Sequence, residues 1–307
     1  MTNVLFGGFN RNPPEIPFER GNIRENLPAV KQILKDSIAA SSQFKGQIAF
    51  DELKAVENNY GSGFNVEEGY YQITADWELP DGDVVKIKNK DGKRVFWYPA
   101  QAESLEALFD NLYRIIFDRA MHKIVYAKEE MPGPGEETFA NQSTEIQKTV
   151  FEDWSKFRFI DLGCGDGRAT LIAAIFGLPA IGLDNNGRMR DIAEQNIASA
   201  QQKKIPMARA VIKEGNFLEY KAIDDLTRDD GTRLPALFYM YAHSLTGKIL
   251  ATLKPILKEG DFILMHKVTA NDHPEFVKSM DGCLKKEYEI APAQTDAVNI
   301  YSINKKM

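Results

Sequence analysis

Cysteine is scarce in this chain. Cys164 and Cys283 are the only two in 307 residues. No close Cys–Cys spacing suggests a disulfide framework or a thiolate metal site, so reduced thiols and no metal are expected. Long apolar runs are missing too, and with them any segment that reads as a membrane span. The first residues, "MTNVLFGGFNRNPPEIPFERGN", do not join a basic start to an apolar stretch, so they do not read as a secretory signal. Positive charge is not in excess: 38 Lys and Arg face 44 Asp and Glu, a formal charge of −6. Such a chain has no overall field for a phosphate backbone, which argues against nucleic acid as its partner. Internal repeats and low-complexity tracts are absent. The expectation is a soluble, cytoplasmic protein. Hydrophobic residues at 43% and charged residues at 27% leave room for a substantial core.

The texture changes along the chain. The Gly-, Asn- and Pro-rich start predicts an extended arm. Between Asn22 and Asn58, Leu27, Val30, Ile33, Leu34, Ile38 and then Phe50, Leu53, Val56 recur at helical spacing. This predicts two helices broken near Ser41–Gly46. "YYQITADWEL", "DVVKIKN" and "KRVFWYP" are β-rich and are separated by Asp-Gly turn chemistry, which predicts a three-stranded meander over Tyr70–Tyr98. A strongly amphipathic helix is predicted from Ser104 to about Tyr126. "EEMPGPGEE" then breaks the pattern. From Phe157 onward, apolar strands alternate with helical runs, the pattern of a doubly wound, mostly parallel sheet. "LKKEYEIAP" and "AVNIYSIN" predict an antiparallel hairpin that finishes it. The division expected is an N-terminal α+β extension over 1–130, serving as cap or acceptor-recognition element, and an α/β domain over 131–307.

The chemistry concentrates in "FRFIDLGCGDGRATLIAA". A strand is predicted to end at Leu162 and a helix to begin near Arg168, with Gly163, Gly165 and Gly167 between them. Glycine accepts positive φ and allows a ligand close to the main chain. The helix offers free N–H groups, and open α/β sheets bind ligands at the carboxyl ends of their strands. A dinucleotide fingerprint would read GxGxxG. Here the spacing is GxGxG, and the strand carries Asp161, which would repel a pyrophosphate and suits an ammonium group. A second acid, Asp184, closes the next strand, "PAIGLD", about 20 residues on, where a carboxylate reaches ribose hydroxyls. An ammonium partner, a close-approach turn and a ribose partner together describe S-adenosylmethionine (SAM). Cys164, in the middle of the turn, is given no nucleophilic role.

"FIDLGCGDGR" resembles the first motif of class I SAM-dependent methyltransferases, and "AIGLDNN" resembles their second. "VIKEGNFLEY" is similar to the segment after their third strand. The likeness spans about Phe157 to Tyr301. It implies a seven-stranded Rossmann-like sheet and a SAM site in which Asp161, Gly163, Gly165 and Gly167 hold the methionine end. Asp184, followed by Asn185, would hold the ribose, and Asn216 with Phe217 the adenine. Upstream, "GEETFANQSTEIQKTVFE" is similar to the region before the first motif in the non-SET lysine methyltransferases. That resemblance implies a loop closing over SAM, with Glu137, Thr138, Gln142, Ser143 and Glu145 as candidates. An ordinary capped helix near Ser143 or Thr144 is the competing reading.

The acceptor is read from the fourth strand. "PALFYMYAHSL" lacks both the Asn/Asp-Pro-Pro-aromatic motif of adenine- and glutamine-modifying enzymes and the Pro-Cys of cytosine-C5 enzymes. Asn12-Pro13-Pro14 occurs far upstream, but Glu15 replaces the aromatic, so it reads as a stiffened arm. Tyr239 and Tyr241 alternate and share one strand face, with core packing the competing role. Tyr241 and His243 are the candidate catalytic residues at the acceptor pocket, His243 as proton acceptor. His266 is weighed as a second candidate and read instead as a satisfied strand-end histidine. The expectation is a SAM-dependent methyltransferase acting on a protein side chain, lysine first, with a small molecule as the alternative acceptor. A non-catalytic SAM-binding scaffold is the alternative class.

Overall fold

A computed structural model of the chain describes residues 23–40, 64–65, 70–71, 86–88, 94–96, 100, 102–126, 152–185, 187–217, 219, 223–227, 231–241, 246–266, 269–290 and 298–304. The extended arm, the second predicted helix and the break at "EEMPGPGEE" lie outside these residues.

The polypeptide alternates between short apolar strands and helices, and the strands assemble into one seven-stranded sheet. Along the chain these are β1 (Arg158–Leu162), β2 (Ala180–Asp184), β3 (Ala210–Glu214), β4 (Ala236–Tyr241), β5 (Phe262–His266), β6 (Leu284–Ile290) and β7 (Val298–Ile303). Their order across the sheet is 3-2-1-4-5-7-6. Strands β1 to β5 pair in parallel. β7 enters antiparallel to both β5 and β6, as the terminal hairpin predicted. The order reverses between β1 and β4, so a crevice opens there at the strands' carboxyl ends.

Helices cover both faces. On one lie α1 (Ile23–Ala40), α2 (Ala102–Tyr126), α3 (Arg168–Ile175) and the buried side of α4 (Gly187–Gln202). The predicted periodicities explain the first two. In α1, Val30, Ile33 and Leu34 are buried while Glu25, Gln32 and Asp36 are exposed. In α2, Leu105, Leu108, Phe109, Leu112 and Ile116 face the core, a stripe spaced at three and four residues. Phe109 packs between Phe159 of β1 and Phe176, with ring centroids 5.3 and 5.2 Å away. Trp154 is fully buried and donates Nε1–H to Phe176 O at 2.9 Å. On the other face, Leu226 of α5 (Ile223–Leu226), Ile249, Leu250 and Leu253 of α6 (Thr246–Leu253) and Phe276 of α7 (Pro274–Ser279) close a second cluster. N-terminal helices α1 and α2 therefore share their core with the sheet.

In the meander region, the described residues form two separate antiparallel pairs. Lys86–Lys88 pairs antiparallel with Arg94–Phe96. Tyr70–Tyr71 pairs with Phe64–Asn65, and the rest of the predicted meander strand lies outside the described residues. No helix among the described residues is long and apolar enough to cross a membrane.

One buried ion pair fixes the start of β4. Asp261 is fully buried and accepts from Arg233 Nη1 at 2.8 Å and Nη2 at 2.6 Å, and from the Ala236 and Lys258 amides, each at 2.8 Å. Asp261→Ala leaves the Arg233 charge without its counter-ion and two amides without their acceptor, and is expected to lower the unfolding free energy by about 3–5 kcal/mol in urea titration. Lys156→Ala, which breaks the solvent-facing pair with Asp153, is expected to change it by less than about 1 kcal/mol.

Candidate functional site

The glycine stretch forms a tight turn between β1 and α3. Gly163 and Cys164 both donate their amides to Leu183 O, at 2.9 and 2.8 Å, and Gly167 donates to Cys164 O at 2.8 Å. Gly163, Gly165 and Gly167 all have positive φ, at 88°, 54° and 73°. At Gly167 a Cβ would also lie 2.7 Å from Ala193 Cβ on α4, so only glycine lets the two helices approach. Gly182 on β2 has a different reason. It lies directly opposite Asp161 across the sheet, and a Cβ there would stand 2.6 Å from Thr170 Oγ1 and 2.9 Å from Cys164 Cβ. Its missing side chain makes the space in which Thr170 meets Asp161.

Three carboxylates surround the turn, and each is handled differently. Asp161 is buried and accepts a hydrogen bond from Thr170 Oγ1 at 2.8 Å. Burial pushes its pKa up to about 7; the Thr170 hydrogen bond opposes the shift, and the nearby Asp184 and Asp166 charges add to it. Asp166 is buried beside Arg168, whose Nε and Nη2 donate to it at 3.0 and 2.6 Å. The same guanidinium donates Nη1–H to Ala100 O at 2.8 Å, tying the residue just before α2 to the turn. Asn196 of α4 holds the other side, donating to Asp166 O at 2.8 Å. Asp184 closes β2 and accepts the Gly165 amide through Oδ2 at 2.9 Å. The same forces push the Cys164 thiol well above its ordinary pKa, burial first and then the carboxylates, so the thiol is not an activated nucleophile.

These groups open onto a crevice lined by Ala100, Asp161, Gly163, Gly165, Tyr239 and Tyr241. Tyr239 faces Asp161 across the β1–β4 pair. Phe217, after β3, packs its ring against Gly163, where a Cβ would meet Cε1 at 3.6 Å. Asn216 is half-buried beside it and donates to Glu219 at 3.1 Å. Asn185 is exposed next to Asp184. The structure thus brings Asp161, the three glycines, Asp184, Phe217, Asn216 and Tyr241 to one end of the sheet. Glu137, Thr138, Gln142, Ser143, Glu145 and His243 lie outside the described residues.

The residue set fits SAM better than a dinucleotide. The Arg168 cation is engaged by Asp166, so it adds no net positive charge for a pyrophosphate. Asp161 and Asp184 present acceptors suited to an ammonium group and to hydroxyls. Thr170, Asp166, Arg168 and Asn196 support the site without having been singled out from the sequence. Arg168 alone carried a local signal, two residues from Asp166 at the predicted helix start.

The pKa of Asp161 has a stability consequence. Its folded value, about 7, lies above the unfolded carboxylate value near 4. Its stabilising contribution is therefore complete below about pH 4 and is lost as pH rises toward 7. Asp161→Asn removes that loss. The unfolding free energy of the variant relative to wild type is expected to rise by on the order of 3 kcal/mol between pH 4 and pH 8, measured by urea unfolding of the unliganded protein.

No protein family and no curated protein matches the sequence. Solved structures with similar folds include a ribosomal protein L11 methylase from Lactobacillus delbrueckii subsp. bulgaricus, 14% identical over 48% of this chain and 69% of that one, TM-score 0.36. An RNA methyltransferase from Salinibacter ruber bound to S-adenosyl-L-homocysteine is 16% identical over 57% and 95%, TM-score 0.35. A SAM-dependent methyltransferase from Methanosarcina mazei is 15% identical over 48% and 93%, TM-score 0.33. The strand order and the glycine turn carry the assignment, not these likenesses. A parallel sheet in the order 3-2-1-4-5-7-6, with an antiparallel β7 and a glycine turn after β1, is the fold of the class I SAM-dependent methyltransferases.

Proposed function

We propose that the chain is a SAM-dependent methyltransferase that methylates a protein side-chain amine, lysine first. The observation that carries the reading is the pair of acids flanking the glycine turn: Asp161 buried at its base and Asp184 hydrogen-bonded to the Gly165 amide. SAM supplies a sulfonium-bound methyl group that needs no activation by the protein. The chain's own residues bind, orient and exclude water. Asp161, ionised, matches the methionine ammonium. Asp184 exchanges its bond to Gly165 for ribose hydroxyls. Phe217 offers an apolar face to the adenine and Asn216 a polar group at its edge. The clasp of Asp166, Arg168 and Asn196 keeps the turn in shape, and Arg168 holds Ala100 at the crevice wall.

Two tyrosines at the crevice support the acceptor class. Aromatic walls favour a cationic or methylated amine and exclude water from a transferring methyl group. The fourth strand has no Pro-Pro-aromatic segment to clamp a planar base or amide. A small amine remains the second acceptor, for which the same walls serve.

Isothermal titration with SAM tests the cofactor claim. Asp184→Ala removes a charged hydrogen-bond acceptor, and the dissociation constant is expected to rise about 10- to 100-fold; unchanged affinity contradicts the assignment. Transfer of tritiated methyl to lysine-containing peptides, but not to their acetylated forms, is the expected acceptor result. Transfer only into a metabolite pool would select the small amine, and tight SAM binding without transfer to any acceptor would select the scaffold.

A further inference from the structure

Methylating a lysine raises a problem that the SAM-binding residues do not solve. The ammonium has no lone pair, so one proton must leave before the nitrogen can attack. We infer that this proton leaves through Tyr239 to the buried His266, a hydrogen-bonded pair at the wall of the crevice. The inference rests on the methyl-transfer reading above.

Geometry carries it. Tyr239 is on β4, directly across from Asp161 of β1, and its side chain lines the crevice. Its hydroxyl lies 2.7 Å from Nδ1 of His266 at the end of β5. His266 is fully buried, so it communicates with the crevice through hydrogen bonds and not by contact with bulk water. Around the imidazole stand the Tyr239 hydroxyl and the Tyr241 ring from β4, the latter with centroids 4.8 Å apart, and Val298 opposite on β7. Asp161 lies one strand beyond Tyr239. Core packing alone would be served as well by phenylalanine and leucine. The sequence instead puts a phenol and an imidazole side by side in hydrogen-bond register, 27 residues apart.

The step balances. An ammonium proton passes to the Tyr239 oxygen as the Tyr239 proton moves to Nδ1, leaving an imidazolium at His266. The freed nitrogen lone pair forms the bond to the methyl carbon. The carbon–sulfur bond breaks with its electron pair left on sulfur. The products are a methylated ammonium and a neutral thioether; once the product has left, His266 returns its proton through Tyr239 to water entering the crevice. Tyr239 is the group that touches the acceptor, and His266 acts through it.

For this to work, Nδ1 must be the acceptor at rest, with the imidazole proton on Nε2. Nitrogen-15 NMR of the unliganded protein reads this directly. The chain has four histidines, and the His266 signal is identified by its loss in His266→Gln. The Nε2–H tautomer is expected; an Nδ1–H that donates to Tyr239 overturns the inference. Kinetics give the second reading. Tyr239→Phe and His266→Asn are expected to slow transfer to a lysine peptide about 100-fold, a general-base-sized effect. SAM affinity should stay within about twofold. Variants that keep the rate, or that lose SAM affinity in proportion to rate, overturn the relay. A wild type that binds SAM but transfers no methyl overturns the functional reading itself, and the relay with it. An active wild type beside equally active variants overturns the relay alone.

Discussion

The site depends on a carboxyl group kept out of water. Asp161 lies at the head of β1 between Gly182 and Tyr239, and Thr170 of α3 provides its hydrogen bond. Burying a carboxylate is costly unless it is paired or protonated. In the unliganded protein the balance between its charged and neutral forms falls near neutral pH. In the proposed function the methionine ammonium of SAM supplies that partner. The residue is thus poised to gain most from an ammonium group, which is also what makes the crevice hostile to a phosphate.

The rest of the fold can be understood as the means of holding that group in place. Gly182 gives up a side chain so that Thr170 can reach it. Gly167 gives up one so that α3 and α4 can close behind the turn. The neighbouring Asp166 has its charge matched by Arg168, and that pair extends the site's influence to Ala100 in front of α2. Helices α1 and α2 bury their apolar stripes in the same core as α3, so the N-terminal segment is part of the wall that supports the glycine turn. Asp261, with four hydrogen bonds, sets the start of β4 and so the height at which Tyr239 and Tyr241 meet the crevice.

Local features of this arrangement were legible in the sequence. The strand–turn–helix at Asp161, the acid closing β2, the stripe of α2 and the final hairpin are each written in consecutive residues, because turn chemistry and hydrophobic period are local properties. Contacts between distant segments were not. Nothing in "DGR" says that Arg168 reaches Ala100, 68 residues earlier. His266 could be read only as a residue at a strand end, because its bond to Tyr239 depends on β4 and β5 being neighbours in register. The reason for Gly182 appears only once Thr170 is brought opposite it.

The most direct test of the central claim is a crystal structure of the protein with S-adenosylhomocysteine. The expected result is the homocysteine ammonium beside Asp161, the ribose hydroxyls on Asp184 with its bond to the Gly165 amide released, and the sulfur facing Tyr239. A crevice left empty by that compound but filled by a nicotinamide coenzyme, its pyrophosphate on the glycine turn, would contradict it.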